Sequence, residues 1–194
     1  MDLGTRVPEL LRRHPSVRAV SLTGSRARGT PTPLSDWDFG VETDDLDALA
    51  ADVPELLGPL EPLAQQWDPL GERATYMLML RGPTKVDLIF LHERRSPRPR
   101  WHVSTATLPA IDAHFWDWIL WLAAKSAAAR DELVRDELAR MHDYLLRPLG
   151  VEAPPVTIQE AAETYLAALH DAERRFDLTV PRALREEVLP ALLS

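Results

Sequence analysis

Between Val17 and Val41 the chain reads as two short strands separated by a glycine turn, and no other stretch constrains the fold as much. Val17-Arg18-Ala19-Val20-Ser21-Leu22 alternates loosely with period two and stops just before Gly24, as a strand entering a tight turn does. Asp36-Trp37-Asp38 then opens a second apolar segment, Phe39 to Val41. In an extended strand its two acids share one face and Trp37 turns to the other. Two carboxylates held side by side repel each other, so such a pair sits comfortably around a bound cation.

The flanking segments continue this α/β alternation. Val7 to Arg13 is predicted as a helix, Val17 to Thr23 and Asp36 to Glu42 as strands, and Leu46 to Leu57 as a helix opened by Asp44 and Asp45. Ala64 to Trp67, Ala74 to Leu80 and Lys85 to Leu91 follow as strands, with Gly82-Pro83 turning the last two into an antiparallel pair. This arrangement puts Asp87 on the strand best placed to lie beside Asp36-Trp37-Asp38. From His92 to Pro109 the composition changes, with Pro97, Pro99 and Pro109 among Arg94, Arg95, Arg98 and Arg100, so about 92–110 reads as a surface connection.

Beyond it the pattern is helical. Ile111 to Leu146 keeps apolar residues at spacings of three and four and forms one long helix or two with a break. Thr157 and Glu160 have capping-box spacing and open a helix to about Phe176, and Pro181 introduces a last one over Arg182 to Leu193. The predicted class is therefore α+β: a mixed-sheet domain over 1–95 followed by an all-helical domain over 96–194.

Composition narrows the function classes. A hydrophobic fraction of 45% with 27% charged residues describes a globular chain. There is no cysteine, which removes thiolate zinc clusters, disulfides and a cysteine nucleophile and points to a cytoplasmic setting. No segment reaches the roughly 20 apolar residues of a membrane span; Ile119 to Ala129 comes nearest and is interrupted by Lys125. The net charge of -8 argues against nucleic acid as a partner and favours a cationic small molecule.

Gly24-Ser25, with Arg26-Ala27-Arg28-Gly29 after it, Ser35-Asp36-Trp37-Asp38 and the lone acid of Val86-Asp87-Leu88-Ile89-Phe90 together resemble the nucleotidyltransferase superfamily. This is the group related to DNA polymerase beta that includes minimal nucleotidyltransferase antitoxins and the kanamycin and streptomycin nucleotidyltransferases. The resemblance spans roughly residues 5 to 92, and Trp37, predicted to face outward, stands where an aliphatic residue is usual. It implies that Asp36, Asp38 and Asp87 are the catalytic carboxylates and hold Mg2+, with two ions expected when a nucleoside triphosphate is bound. Magnesium prefers oxygen ligands, which suits this residue type. Gly24 would let the backbone approach the phosphates, and the Ser25 hydroxyl and following amides would donate to their oxygens, with Arg26 and Arg28 adding charge.

In the helical half, Lys125 shares a face with Trp118 and Trp121 and is assigned to the triphosphate. Phe115, Trp116, Trp118 and Trp121 read first as packing between the domains and second as the wall of an acceptor site. Asp112 and Asp117 are candidates for a general base or for contact with a cation. The leading expectation is transfer of AMP from ATP to a hydroxyl of a small, aminoglycoside-like acceptor. The alternatives are an antitoxin-type or protein-modifying nucleotidyltransferase, or a non-catalytic nucleotide-binding module, and a homodimer is left open.

Overall fold

The structure, a computed structural model, describes residues 2–96 and 100–192. Pro97, Arg98 and Pro99 of the expected connection, and Leu193 of the expected last helix, lie outside the described residues. The chain divides into two compact units, Met1–Pro97 and Arg98–Ser194.

The first unit runs α1 (Leu3–Leu11), β1 (Val17–Leu22), α2 (Gly24–Ala27), β2 (Trp37–Thr43), α3 (Leu46–Leu57), β3 (Ala64–Trp67), β4 (Arg73–Leu80) and β5 (Thr84–Arg94). Its five strands form one mixed sheet in the order β1-β2-β5-β4-β3. β2 and β5 are parallel, and the other neighbours are antiparallel. α1 starts four residues before the predicted Val7, because the Asp2 carboxylate accepts from the Gly4 amide at 3.0 Å and caps the helix there. β5 extends past the predicted Leu91 through a register shift that pairs Arg73 with Arg94, and His92 takes a φ of 70° within it.

Period two divides the sheet into an apolar and a polar face. Phe39 and Val41 of β2, Val86, Leu88 and Phe90 of β5, and Ala74, Tyr76 and Leu78 of β4 meet Val7, Leu10 and Leu11 of α1 and Leu49, Val53 and Leu57 of α3 in one core. Each such fully buried aliphatic or aromatic side chain stabilises the unit by roughly 1.5–3 kcal/mol. Trp37 belongs to this face. It stacks on Phe39 at 6.3 Å and packs partly buried against the core, so the outward tryptophan expected from the sequence is corrected. The physical reason is that the face opposite the acids is the one α1 and α3 cover.

The second unit consists of α4 (Leu108–Ala127), α5 (Asp131–Met141), a wide helical turn over His142–Leu146, α6 (Ile158–Phe176) and α7 (Ala183–Leu192). The break between α4 and α5 falls at Ala129, whose φ of 54° cannot continue a helix. Pro109, expected in the connection, occupies the first turn of α4, where a missing N–H is harmless. Thr157 caps α6 through the Glu160 amide at 3.0 Å, as the spacing predicts. Glu173 of α6 accepts from the Val180 amide at 2.9 Å and from Arg182 at 2.7 Å, which ties down the approach to α7. Among the described residues no helix is long and apolar enough to cross a membrane.

The aromatic residues of α4 pack inside this unit. Phe115 stacks on Tyr165 of α6 with ring centres 3.7 Å apart, and Trp116 meets the same ring edge-on. Asp112 lies 4% exposed beneath them, accepting from Trp116 Nε1 at 3.0 Å and from the Tyr165 hydroxyl at 2.7 Å. Asp112, a candidate base from the sequence, is thus buried in the helical core with its Oδ1 already engaged. Burial pushes its carboxyl up to about 6, against the opposing pull of the Tyr165 and Trp116 hydrogen bonds.

The folded chain therefore holds this proton more tightly than the unfolded one, whose carboxyl titrates near 3.8. Stability is greatest at the acid end, falls as pH climbs from 3.8 towards 6 and is level above that. Relative to Asp112→Asn, which retains the Oδ1 acceptor and cannot ionise, the wild-type protein is expected to lose about 3 kcal/mol across this window. Urea denaturation followed by tryptophan fluorescence at a series of pH values measures it, and parallel profiles for the two proteins would refute the assignment.

Candidate active site

The polar face of the sheet gathers the acids. Parallel pairing sets Asp38 of β2 directly beside Asp87 of β5. Asp36 sits one residue before β2 and is 7% exposed. One carboxylate oxygen from each of Asp36, Asp38 and Asp87 can be chosen so that all lie within 4.8 Å of one another. The three residues assigned to catalysis from the sequence are thus brought together, Asp38 and Asp87 by the β2–β5 register and Asp36 by the segment leading into β2.

Gly24 makes this convergence possible in a way the sequence did not reveal. Its φ is +66°, and a Cβ built on it would lie 1.9 Å from Asp38 Oδ2. The Asp38 carboxylate therefore occupies the space a side chain at position 24 would need. The same turn grips the strand: the Thr23 amide and hydroxyl donate to the Asp38 carbonyl at 2.7 and 3.2 Å. Ser25 follows in the first turn of α2, half-buried, with its own carbonyl accepting from the Thr30 amide at 3.0 Å.

Arg26 is engaged elsewhere than the sequence suggested. Its guanidinium donates to the carbonyls of Asp36 at 3.0 Å and Ser35 at 2.6 Å and lies 4.2 Å from the Trp37 ring centre. These contacts use its planar fork to fix the segment that carries Asp36. Arg28 ends α2 and is exposed. Lys125 lies on α4 in the second unit, with its ammonium 4.9 Å from the Trp121 ring centre. Asp117, the other candidate base, is also on α4 and is 5% exposed.

Two groups that sequence reasoning passed over belong to the acid face. Lys85, two residues before Asp87 on β5, donates to both Asp87 carboxylate oxygens and is 6% exposed. Asp68, just beyond β3, adds its charge to the same field. Burial pushes the Asp87 carboxyl up from its ordinary value, Lys85 pulls it back, and Asp36 and Asp68 push it up again, with a net rise. The signal for Lys85 was present as Lys-x-Asp on a strand, which puts both side chains on one face.

Three converging carboxylates, all hard oxygen donors, with a neighbouring backbone that leaves them room, fit a Mg2+- or Mn2+-type cation. Residues 6–66 match the family model described as a nucleotidyltransferase domain. The match gives the N-terminal region of this chain a nucleotidyltransferase-type domain. The matched span includes Gly24, Ser25, Asp36 and Asp38 and ends before Asp87. Among solved structures, the chain is similar to the crystal structure of an aminoglycoside 6-adenyltransferase from Bacillus subtilis, at 11% identity and a TM-score of 0.35, over 95% of this chain and 94% of that one. No curated protein sequence matches it.

The fit of Gly24 against Asp38 gives a sharp test. Gly24→Ala is expected to destabilise the first unit by about 1–2 kcal/mol through its left-handed backbone. The same change is expected to displace the Asp38 carboxylate, and a misplacement of that kind costs a catalytic group on the order of a hundredfold. Circular dichroism with turnover of labelled triphosphate separates the two effects. A folded variant with unchanged turnover would show that Asp38 is not held where it acts.

Proposed function

We propose that the chain is a metal-dependent nucleotidyltransferase that moves AMP from ATP onto a hydroxyl of a cationic, aminoglycoside-like small molecule. The observation that carries this reading is the meeting of Asp36, Asp38 and Asp87 within 4.8 Å beside the Gly24-Ser25 turn. Asp36, Asp38 and Asp87 would hold the divalent cation, which when bound supplies charge neutralisation and alignment of phosphate oxygens.

The protein's own groups supply the rest. In the reaction the acceptor oxygen bonds to the α-phosphorus, the α–β anhydride bond breaks, pyrophosphate leaves and the hydroxyl gives up its proton. Gly24 allows close approach of the phosphate chain to the backbone, and the Ser25 hydroxyl and nearby amides donate to its oxygens. Arg26 holds Asp36 on station through the Ser35 and Asp36 carbonyls. The acceptor class rests on charge: a protein at -8 raises the local concentration of a polycationic sugar and repels a nucleic-acid backbone.

Incubation with [α-32P]ATP and Mg2+ against a panel of aminoglycosides, and in parallel against a panel of proteins, tests the reading. Label is expected on an aminosugar. Label confined to proteins would establish the modifying or antitoxin-type alternative, and no transfer to either would leave a binding module. Asp38→Asn is expected to lower transfer by on the order of a thousandfold, the scale of losing a preorganised electrostatic contact. Near-wild-type transfer by a folded Asp38→Asn protein would remove the carboxylates from the mechanism.

A further inference from the structure

Asp87 does not meet Asp36 and Asp38 as a bare carboxylate. The Lys85 ammonium donates to both of its oxygens, so the group a cation would approach is already chelated by the protein's own charge. A lysine only 6% exposed is uncommon unless paired. Its environment keeps the pairing strong: across the β4–β5 ladder Lys85 faces Met79 and Asp87 faces Met77, and both methionines are buried. Screening by salt is correspondingly weak there.

The charges set up a competition. Asp36 and Asp38 attract a divalent cation, whereas Lys85 repels it and occupies the oxygens of the third ligand. A nucleoside triphosphate changes the balance, because its phosphates bring negative charge that compensates the ammonium and offers it an alternative acceptor. Resting on the reading of the site given above, we propose that Lys85 is a positioning residue that reserves Asp87 in the nucleotide-free protein and makes metal loading depend on nucleotide. In the empty state it relieves the repulsion among the three acids; in the loaded state it passes from Asp87 to phosphate oxygen.

The test reads metal occupancy, not turnover. Protein-retained Mn2+ is measured by ultrafiltration and metal analysis, with protein-free controls containing the same nucleotide, for the wild type and Lys85→Met, with and without α,β-methylene-ATP. Without nucleotide, Lys85→Met is expected to bind Mn2+ at least about tenfold more tightly than the wild type, since a nearby opposing charge is gone. The analogue is expected to tighten Mn2+ binding to the wild type by at least about tenfold and to Lys85→Met by far less. Equal affinities of the two proteins, or equal enhancement by the analogue, would overturn the proposal and leave nucleotidyl transfer standing. Absence of Mn2+ binding to either protein even with the analogue would overturn both.

A second measurement needs no substitution at Lys85. The chain has two lysines, Lys85 and Lys125, so labelling with [ε-13C]lysine gives two signals, assigned by Lys125→Arg. The Lys85 signal is expected to stay in place with Mg2+ alone at concentrations that load the ternary complex, and to shift when Mg2+ and the analogue are added together. A Lys85 signal that ignores the combined addition would refute the exchange of partners even if Lys85→Met does not fold.

Discussion

Two carboxylates on neighbouring strands repel, and a register that sets Asp38 beside Asp87 is maintained only because the strands are held from behind. The force comes from the opposite face, where Phe39, Val41, Val86, Leu88 and Phe90 are fully buried against α1 and α3. A one-residue slip of β2 against β5 would carry those side chains out of the core and the acids into it. The apolar face thus fixes the register, and the register fixes the distance between the acids. The hydrophobic core and the polar site are two faces of one constraint.

Local devices then refine what the register leaves loose. Gly24 yields its side-chain volume to Asp38, Thr23 pins the Asp38 carbonyl, and Arg26 pins the carbonyls of Ser35 and Asp36. Each of these contacts acts on backbone or excluded volume, so each limits where a carboxylate can move without consuming one of its oxygens. Lys85 is the exception, since it engages the Asp87 oxygens themselves. In the helical unit the buried Asp112 shows the other outcome for an acid: its Oδ1 is enclosed by Trp116 and Tyr165 and serves packing. Both acids are pushed towards the neutral form by burial, and only geometry distinguishes their roles.

Much of this was legible in the sequence because it depends on period. Asp36-x-Asp38 and the strand around Asp87 obey period two, and the helices from Leu108 onward obey the three-and-four rule, so the α+β class could be read directly, whereas the grouping of the three acids was what the resemblance implied. What escaped depended on which face a partner covers. Trp37 was expected outward because its neighbours are acids, and only the seating of α1 and α3 turns it into core. Phe115 and Trp116 were expected between domains, and only the approach of Tyr165 shows that they pack within one unit. The wide turn at His142 is fixed by its Nε2 meeting the Val151 carbonyl at 3.1 Å, a contact no local rule anticipates. The start of α1 was missed for a simpler reason: Asp2 is an N-cap, and its signal lies outside the apolar pattern.

The engagement of Arg26 has a consequence for how phosphate charge is met. A guanidinium whose fork is occupied by two carbonyls and stacked on Trp37 would surrender Asp36 if it turned towards a phosphate. Arg28 stands at the exposed end of a four-residue helix, where solvent weakens its field. Among the described residues of the first unit, Lys85 is the cation that is both buried and already on the acid face, so it is the one whose field is least diluted by water. The site then contains, two residues apart on one strand face, an acid of the carboxylate cluster and the ammonium that donates to it. That pairing offsets the repulsion among the clustered carboxylates.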